Sequence, residues 1–405
     1  MSESITNSQV VKTVYRIKDT LQKKRFKNIS LMDGLPGSIL FNFYFGQVFN
    51  CNESTAFSEK SAAYLVNKFN DLESFPFGYG NGLTGVLSFF NYMSDKSDIY
   101  SGLLDESLDR LVAGYMMERY KKGDYDYMFG GAGGMKYLLE RYAKNQNEYL
   151  KNLITQGVTV LLNDLLIDEN EEVAFWNISK REDINLISSK PINIGFAHGI
   201  PGIISLLLDC VQFDICKIEI QKILEKVFRF ILKYRNISGL SQFPKYANIV
   251  NGNDNFSPLA WCYGDIGISI SLLKYGAACA KDEFFEMGTN IGLQACNRRS
   301  VRESGVLDAG FCHGTSGLSC QYNILHKYTG HSDFLKSQEY WLKKTIEYSN
   351  FDKHSVAGFR MYIDDDLWQP SFGLLNGIAG IGLTFLNYIE PEIVDWRTFF
   401  NLPKL

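Results

Sequence analysis

The sequence predicts an all-α protein, an α/α toroid in which seven inner helices are ringed by seven outer ones. Two observations carry this. A Gly-x-x-Gly pair followed by an apolar run recurs seven times, and amphipathic stretches of helical period lie between the recurrences. The runs are 33–43, 81–90, 130–139, 198–208, 263–273, 313–325 and 376–386. Their leading glycines, Gly34, Gly82, Gly130, Gly199, Gly264, Gly314 and Gly377, are spaced by 48, 48, 69, 65, 50 and 63 residues. A fixed unit with insertions of variable length is how a repeat architecture reads in sequence. Seven occurrences in one phase are more than ordinary helix ends would supply.

Each repeat supplies two kinds of helix. In 217–233, Ile220, Ile223, Leu224, Val227, Phe228 and Ile231 fall on one stripe with charges opposite, and 103–122, 147–166 and 333–349 are comparable. Such helices stand outside, while the nearly all-apolar runs must be buried on most sides. Small residues at the start of each inner helix allow close approach and a sharp turn. The segments near 168–194 and 234–258 fit the repeat poorly; they carry Asn, Ser, Lys and Pro and read as loop or small β insertions over one rim. No linker divides the chain, so residues 1–405 read as one α/α-barrel domain.

Composition narrows the function class. With 45% hydrophobic and 21% charged residues and a formal net charge of −4, the chain has material for a large core. It shows no basic footprint for nucleic acid. Eight scattered cysteines suit a reducing compartment. The N-terminal stretch lacks a signal-peptide core, and no apolar run is long enough to span a bilayer, so a cytoplasmic location is expected.

Aligning the repeats on the first glycine gathers the reactive residues. The position just before it holds Asp33, Asn81, Phe129, His198, Tyr263, His313 and Asn376, and the position before that includes Cys262 and Cys312. In a closed toroid, equivalent positions ring the same mouth, so Cys262, Cys312, His313 and His198 should converge there. Two thiolates and an imidazole suit Zn²⁺ and leave a fourth position open for water or a thiol. The bland alternative makes the cysteines small core residues and the histidines rim residues. Cys51, Cys210, Cys216, Cys279, Cys296 and Cys320 share no such phase and read as buried thiols. Asp126, four residues before Gly130, can orient His198 or simply cap a helix.

The motifs GFAHGIPG at 195–202, WCYGDIG at 261–267, GFCHGTSG at 310–317 and NGIAGIGL at 376–383 resemble the signature of the lanthionine synthetase C-like family. The resemblance covers nearly the whole chain, and its length is similar to that of the stand-alone class I lantibiotic cyclases. It implies addition of a peptide cysteine thiol to dehydroalanine or dehydrobutyrine, forming lanthionine or methyllanthionine rings. Carried over by position, it implies zinc on Cys262, Cys312 and His313, His198 as acid/base, and Asp126 and Tyr263 as assisting groups. The implied partners are a dehydrated precursor peptide with its leader, a dehydratase and a transporter, in a complex that would hold the chain peripherally at the membrane. One departure stands out: the family's arginine four residues before the cysteine of Trp-Cys-Tyr-Gly is Pro258 here. Two other readings keep the zinc site. A prenyltransferase-like thiol alkylation would need a diphosphate-binding cluster of Lys and Arg, which the rim loops lack. A zinc-stabilised scaffold binding a leader peptide or a modification enzyme would need no chemistry at His198.

Overall fold

The computed structural model describes residues 7–71, 74–176, 192–247, 256–349, 351–364 and 367–403. The parts of the two expected insertions at 177–191 and 248–255 lie outside these residues. In chain order the helices begin with α1 (Asn7–Lys23), α2 (Leu35–Phe49), α3 (Asn52–Asn70), α4 (Leu83–Met93) and α5 (Glu106–Lys121). Next come α6 (Gly131–Lys144), α7 (Glu148–Asn163), α8 (Ile200–Gln212), α9 (Lys217–Leu232) and α10 (Asp265–Cys279). The last are α11 (Asp282–Ala295), the short α12 (Val301–Ser304), α13 (Thr315–Thr329), α14 (Ser332–Glu347) and α15 (Ile378–Ile389).

The seven Gly-x-x-Gly runs are α2, α4, α6, α8, α10, α13 and α15, and these form the inner ring. Contacts run from α4 to α6, α8, α10, α13, α15 and back to α2. Outside them, α3 lies on α2, α5 and α7 on α6, α9 on α8, α11 on α10, and α14 on α13. The first helix, α1, covers α15, so the two ends of the chain share one stave. The expected stripe on α9 is buried at Ile220, Leu224, Val227, Phe228 and Ile231, with Ile223 half-buried. Each such side chain contributes roughly 1.5–3 kcal/mol on burial.

Every inner helix has its leading glycine as N-cap, without a side-chain cap. The backbone supplies the cap instead. In five of the seven, the first helical N–H reaches back to a carbonyl six residues before the N-cap: Leu35 to Asn28, Leu83 to Pro76, Gly131 to Asp124, Thr315 to Asp308 and Ile378 to Ser371. The second glycine of the motif is needed for close approach. At Gly85, Gly202, Gly317 and Gly380 a Cβ would overlap the carbonyl oxygen of the residue six positions earlier. All seven positive helix ends therefore face one rim.

The loops at that rim are stitched into a ring. Met32 N–H donates to Gly80 O (3.1 Å) and Gly80 N–H to Met128 O (2.8 Å). Trp261 N–H donates to Cys312 O (2.8 Å), Cys312 N–H to Leu375 O (3.0 Å) and Leu374 N–H to Met32 O (2.7 Å). Repeats four and five are joined by a small antiparallel ladder between β3 (Ile192–Asn193) and β4 (Tyr246–Ala247). Two further pairs complete the strands: β1 (Leu166–Asp168) with β2 (Val173–Phe175), and β5 (Met361–Asp364) with β6 (Leu367–Gln369).

One element had no counterpart in the repeat pattern. Residues 395–402, including a 3₁₀ turn at Arg397–Phe400, run inside the barrel and are buried apart from the half-buried Asp395 and Thr398. Their carbonyls accept from inner side chains: Phe399 O from Tyr127 Oη (2.9 Å), Phe400 O from Trp261 Nε1 (2.9 Å) and Asn401 O from Ser205 Oγ (3.1 Å). Phe400 stacks on Phe311 with centroids 3.8 Å apart. Trp261 and Phe311 each immediately precede one of the two site cysteines, so this segment is the floor beneath them.

Candidate metal centre

Cys262, Cys312 and His313 meet at the rim, with one ligand atom from each lying within 4.8 Å of the others. A tetrahedral zinc with two sulfur ligands has a ligand–ligand edge of about 3.8 Å, so the donor set fits that ion in chemistry and in scale. Backbone bonds on both sides of the cysteines fix them: Trp261 N–H on Cys312 O, and Phe311 and Cys312 N–H on Leu375 O. Gly264 has φ +91°, a conformation that a side chain would strain, and this turns the chain sharply between Cys262 and α10. Beneath the loop, Asp265 binds Arg298 in a buried ion pair (2.8 Å) and accepts the N–H groups of Gln242 and Phe243.

The electrostatics favour a thiolate. A hydrogen bond from the Cys312 thiol, opposed by burial and aided by His313, pulls the Cys262 thiol down to about 5. The same contact, together with burial, pushes Cys312 up. Burial disfavours the cationic form of His313, but Asp308 and then Cys262 outweigh it and raise the imidazole to about 10. One thiolate, the ligating form, is already favoured in this cluster.

His198 lies on the adjacent stave. Its Nδ1 is 2.7 Å from Asp126 Oδ2, and its ring stacks on Phe129 and lies 6.4 Å from that of Tyr263. Burial lowers the His198 pKa, but the hydrogen bond and charge of Asp126 win and hold it above its ordinary value. Asp126 is not a helix N-cap, since Gly130 occupies that position on α6. Its Oδ1 accepts the Met128 and Phe129 N–H groups in the preceding turn (2.7 and 2.8 Å), which leaves Oδ2 for the histidine. The structural and functional readings of Asp126 are therefore carried by different oxygens.

Tyr263 is also at the mouth, with its hydroxyl in contact with Tyr246 Oη (3.2 Å) and Asn193 Nδ2 (3.5 Å). Burial raises its pKa, so it stays a neutral donor. Sequence reasoning missed both partners, because they come from the irregular insertions and are brought together only by the β3–β4 ladder. Pro258 packs against Gly305, and no arginine replaces its missing guanidinium among the described site contacts: Arg298 is spent on Asp265 and the Ser257 carbonyl. The exposed Lys245 instead lies over the Tyr263 ring, 5.9 Å from its centroid.

Of the other cysteines, all free thiols, Cys210, Cys296 and Cys320 are buried as expected. Cys51, Cys216 and Cys279 are only half-buried, a departure that follows from their places at the ends of helices, where packing is open on one side.

A toroid of inner and outer helices whose rim brings two thiols and an imidazole, a group that could hold a metal, beside a carboxylate-held histidine defines a class of thiol-handling enzyme. The chain belongs to the lanthionine synthetase C-like family, whose model, described as lanthionine synthetase C-like protein, matches residues 25–401. It is 26% identical over 322 residues to the nisin biosynthesis protein NisC of Lactococcus lactis subsp. lactis, covering 72% of each chain. Among solved structures it is similar to a nisin cyclase, with a TM-score of 0.72 and 21% identity over 97% of this chain and 96% of that one.

Proposed function

We propose that this protein is a zinc-dependent cyclase that joins cysteine thiols to dehydroalanine or dehydrobutyrine residues of a dehydrated precursor peptide. The protein is a lanthionine ring-forming enzyme of lantibiotic biosynthesis; the assignment of metal and roles rests on one observation, the Cys262–Cys312–His313 centre beside the His198–Asp126 pair. Zinc bound there would supply Lewis acidity that lowers the pKa of an incoming peptide thiol.

The chain's own residues carry the rest. In the addition, a sulfur–Cβ bond forms, the Cα–Cβ double bond is lost, and the electron pair moves to an enolate. His198, held by Asp126 and biased toward its protonated form, delivers the proton to Cα. Tyr263 stands at the same mouth as a hydroxyl donor toward the developing oxyanion. The seven helix N-termini add positive potential where thiolate and enolate charge develops. The proton that leaves the thiol equals the one that reaches Cα, so the reaction is an isomerisation.

The substrate must first lose water from its Ser and Thr residues, so a dehydratase acts before this enzyme. A transporter that exports the product completes the set of partners, in a complex that would bring this chain to the membrane. Among the described residues no helix is long and apolar enough to cross a membrane itself.

The test is mass spectrometry of a dehydrated precursor before and after alkylation with a thiol reagent. Incubation with the zinc-loaded protein should leave peptide mass unchanged while the thiols become resistant to alkylation. Prenyl transfer would add mass and hydrolysis would split the peptide. Retention of every alkylatable thiol across several such precursors would overturn the cyclase reading in favour of a scaffold.

A further inference from the structure

The position six residues before each leading glycine holds Asn28, Pro76, Asp124, Asn193, Pro258, Asp308 and Ser371. At four of these the side chain makes the same turn: its Oδ1 accepts the N–H two residues on, in Asn28–Ser30 (2.8 Å), Asp124–Asp126 (3.4 Å), Asn193–Gly195 (2.8 Å) and Asp308–Gly310 (2.9 Å). Asparagine serves this turn in two repeats, so the turn needs one oxygen and no charge.

Asp308 carries a second oxygen that the turn does not use. Its side chain is fully buried, and Oδ2 lies 3.6 Å from His313 Nε2 while accepting the Tyr362 N–H of β5 at 3.0 Å. That separation is a few tenths of an ångström beyond a hydrogen bond and within ion-pair range. The Asp124 Oδ2, by contrast, pairs with Arg119 at the outer edge of the ring. A buried carboxylate is costly unless partnered, and the partners here are a candidate metal ligand and a backbone amide of the rim hairpin.

We propose that Asp308 is a positioning residue for the metal centre, holding His313 with its Nε2 protonated so that Nδ1 presents its lone pair to the cation. Carboxylate–histidine–metal relays fix tautomer and ring orientation in this way, and losing the carboxylate weakens metal binding about 10–100-fold. The Tyr362 amide on the same oxygen ties the β5–β6 hairpin to that relay. The inference rests on the zinc reading above.

The experiment compares the native chain with Asp308→Asn and Asp124→Asn. Zinc affinity is measured by competition with a chromophoric chelator, and cobalt(II) is substituted to record its ligand-field bands. The Asp308→Asn protein should retain its helical circular dichroism, because asparagine makes the same turn at 28 and 193. It should bind zinc roughly 10–100-fold more weakly and shift the cobalt bands. Asp124→Asn, in the same column, should leave both unchanged. Native-like affinity and an unaltered cobalt spectrum in Asp308→Asn, with the native chain binding zinc, would overturn the positioning role alone. Loss of helical structure in that variant would overturn it too, by showing that the turn requires the charge. A native chain that takes up no zinc would instead overturn the zinc reading itself.

Discussion

His198 Nδ1 and Asp126 Oδ2, 2.7 Å apart, join the third and fourth repeats through side chains, where neighbouring repeats are joined by backbone. The candidate acid is thus also a link in the rim. Asp126 raises the His198 pKa above the ordinary value of 6.5. If protonated His198 supplies the Cα proton, the rate is full below that raised pKa and falls as pH rises through it. Asp126→Asn should move this alkaline limb to lower pH. An unmoved limb in a pH–rate profile would show that Asp126 does not hold the proton.

His198→Asn should retain zinc and lose about 10²–10⁴-fold in cyclisation rate, the usual span for positioned proton transfer. Elemental analysis and single-turnover kinetics on one preparation check both halves. Zinc loss in this variant would make His198 a ligand instead.

The native chain should carry one zinc, and Cys262→Ala/Cys312→Ala should carry almost none while keeping its helical content. Cys262 and Cys312 are two small members at the rim of a core built mainly from the apolar inner helices and the outer-helix faces packed on them. Zinc retained in the double variant, by elemental analysis, would defeat the assignment.

Trp261→Phe removes the indole N–H that satisfies the buried Phe400 carbonyl. The orphaned acceptor should cost about 1–3 kcal/mol in urea unfolding. Unchanged stability would mean that the 395–402 segment does not support the cysteine loops.

The fold was legible because the glycines obey sterics: Gly85, Gly202, Gly317 and Gly380 sit where a Cβ would meet a carbonyl, so these four repeats had to keep theirs. The Cys262, Cys312 and His313 cluster, the candidate metal centre, was legible for the same reason, since these residues occupy positions locked to the repeat glycines. Asp308 was equally locked, six residues before Gly314, but an Asx turn and a partner for a histidine use the same residue type. Tyr246 comes from a segment with no repeat phase, and Asn193, although locked six residues before Gly199, is marked only as a turn residue; nothing local makes either a neighbour of Tyr263. The 395–402 segment escaped notice because Trp396, Phe399 and Phe400, although spaced i, i+3 and i+4, span only a single turn, too short for a periodic pattern to be read; their burial is decided by the cavity that the ring encloses.

The bond from Leu374 N–H to Met32 O closes the rim. A linear solenoid of helix pairs frays from its terminal units, which have a neighbour on one side only and need polar caps. A hoop has no terminal unit. Any stave that swings out must break two seams at once, including those on either side of the cysteines, so opening here is expected to be global rather than local. Amide hydrogen exchange in α2 and α15, the helices at the seam, should then be as slow as in α8 on the far side of the hoop.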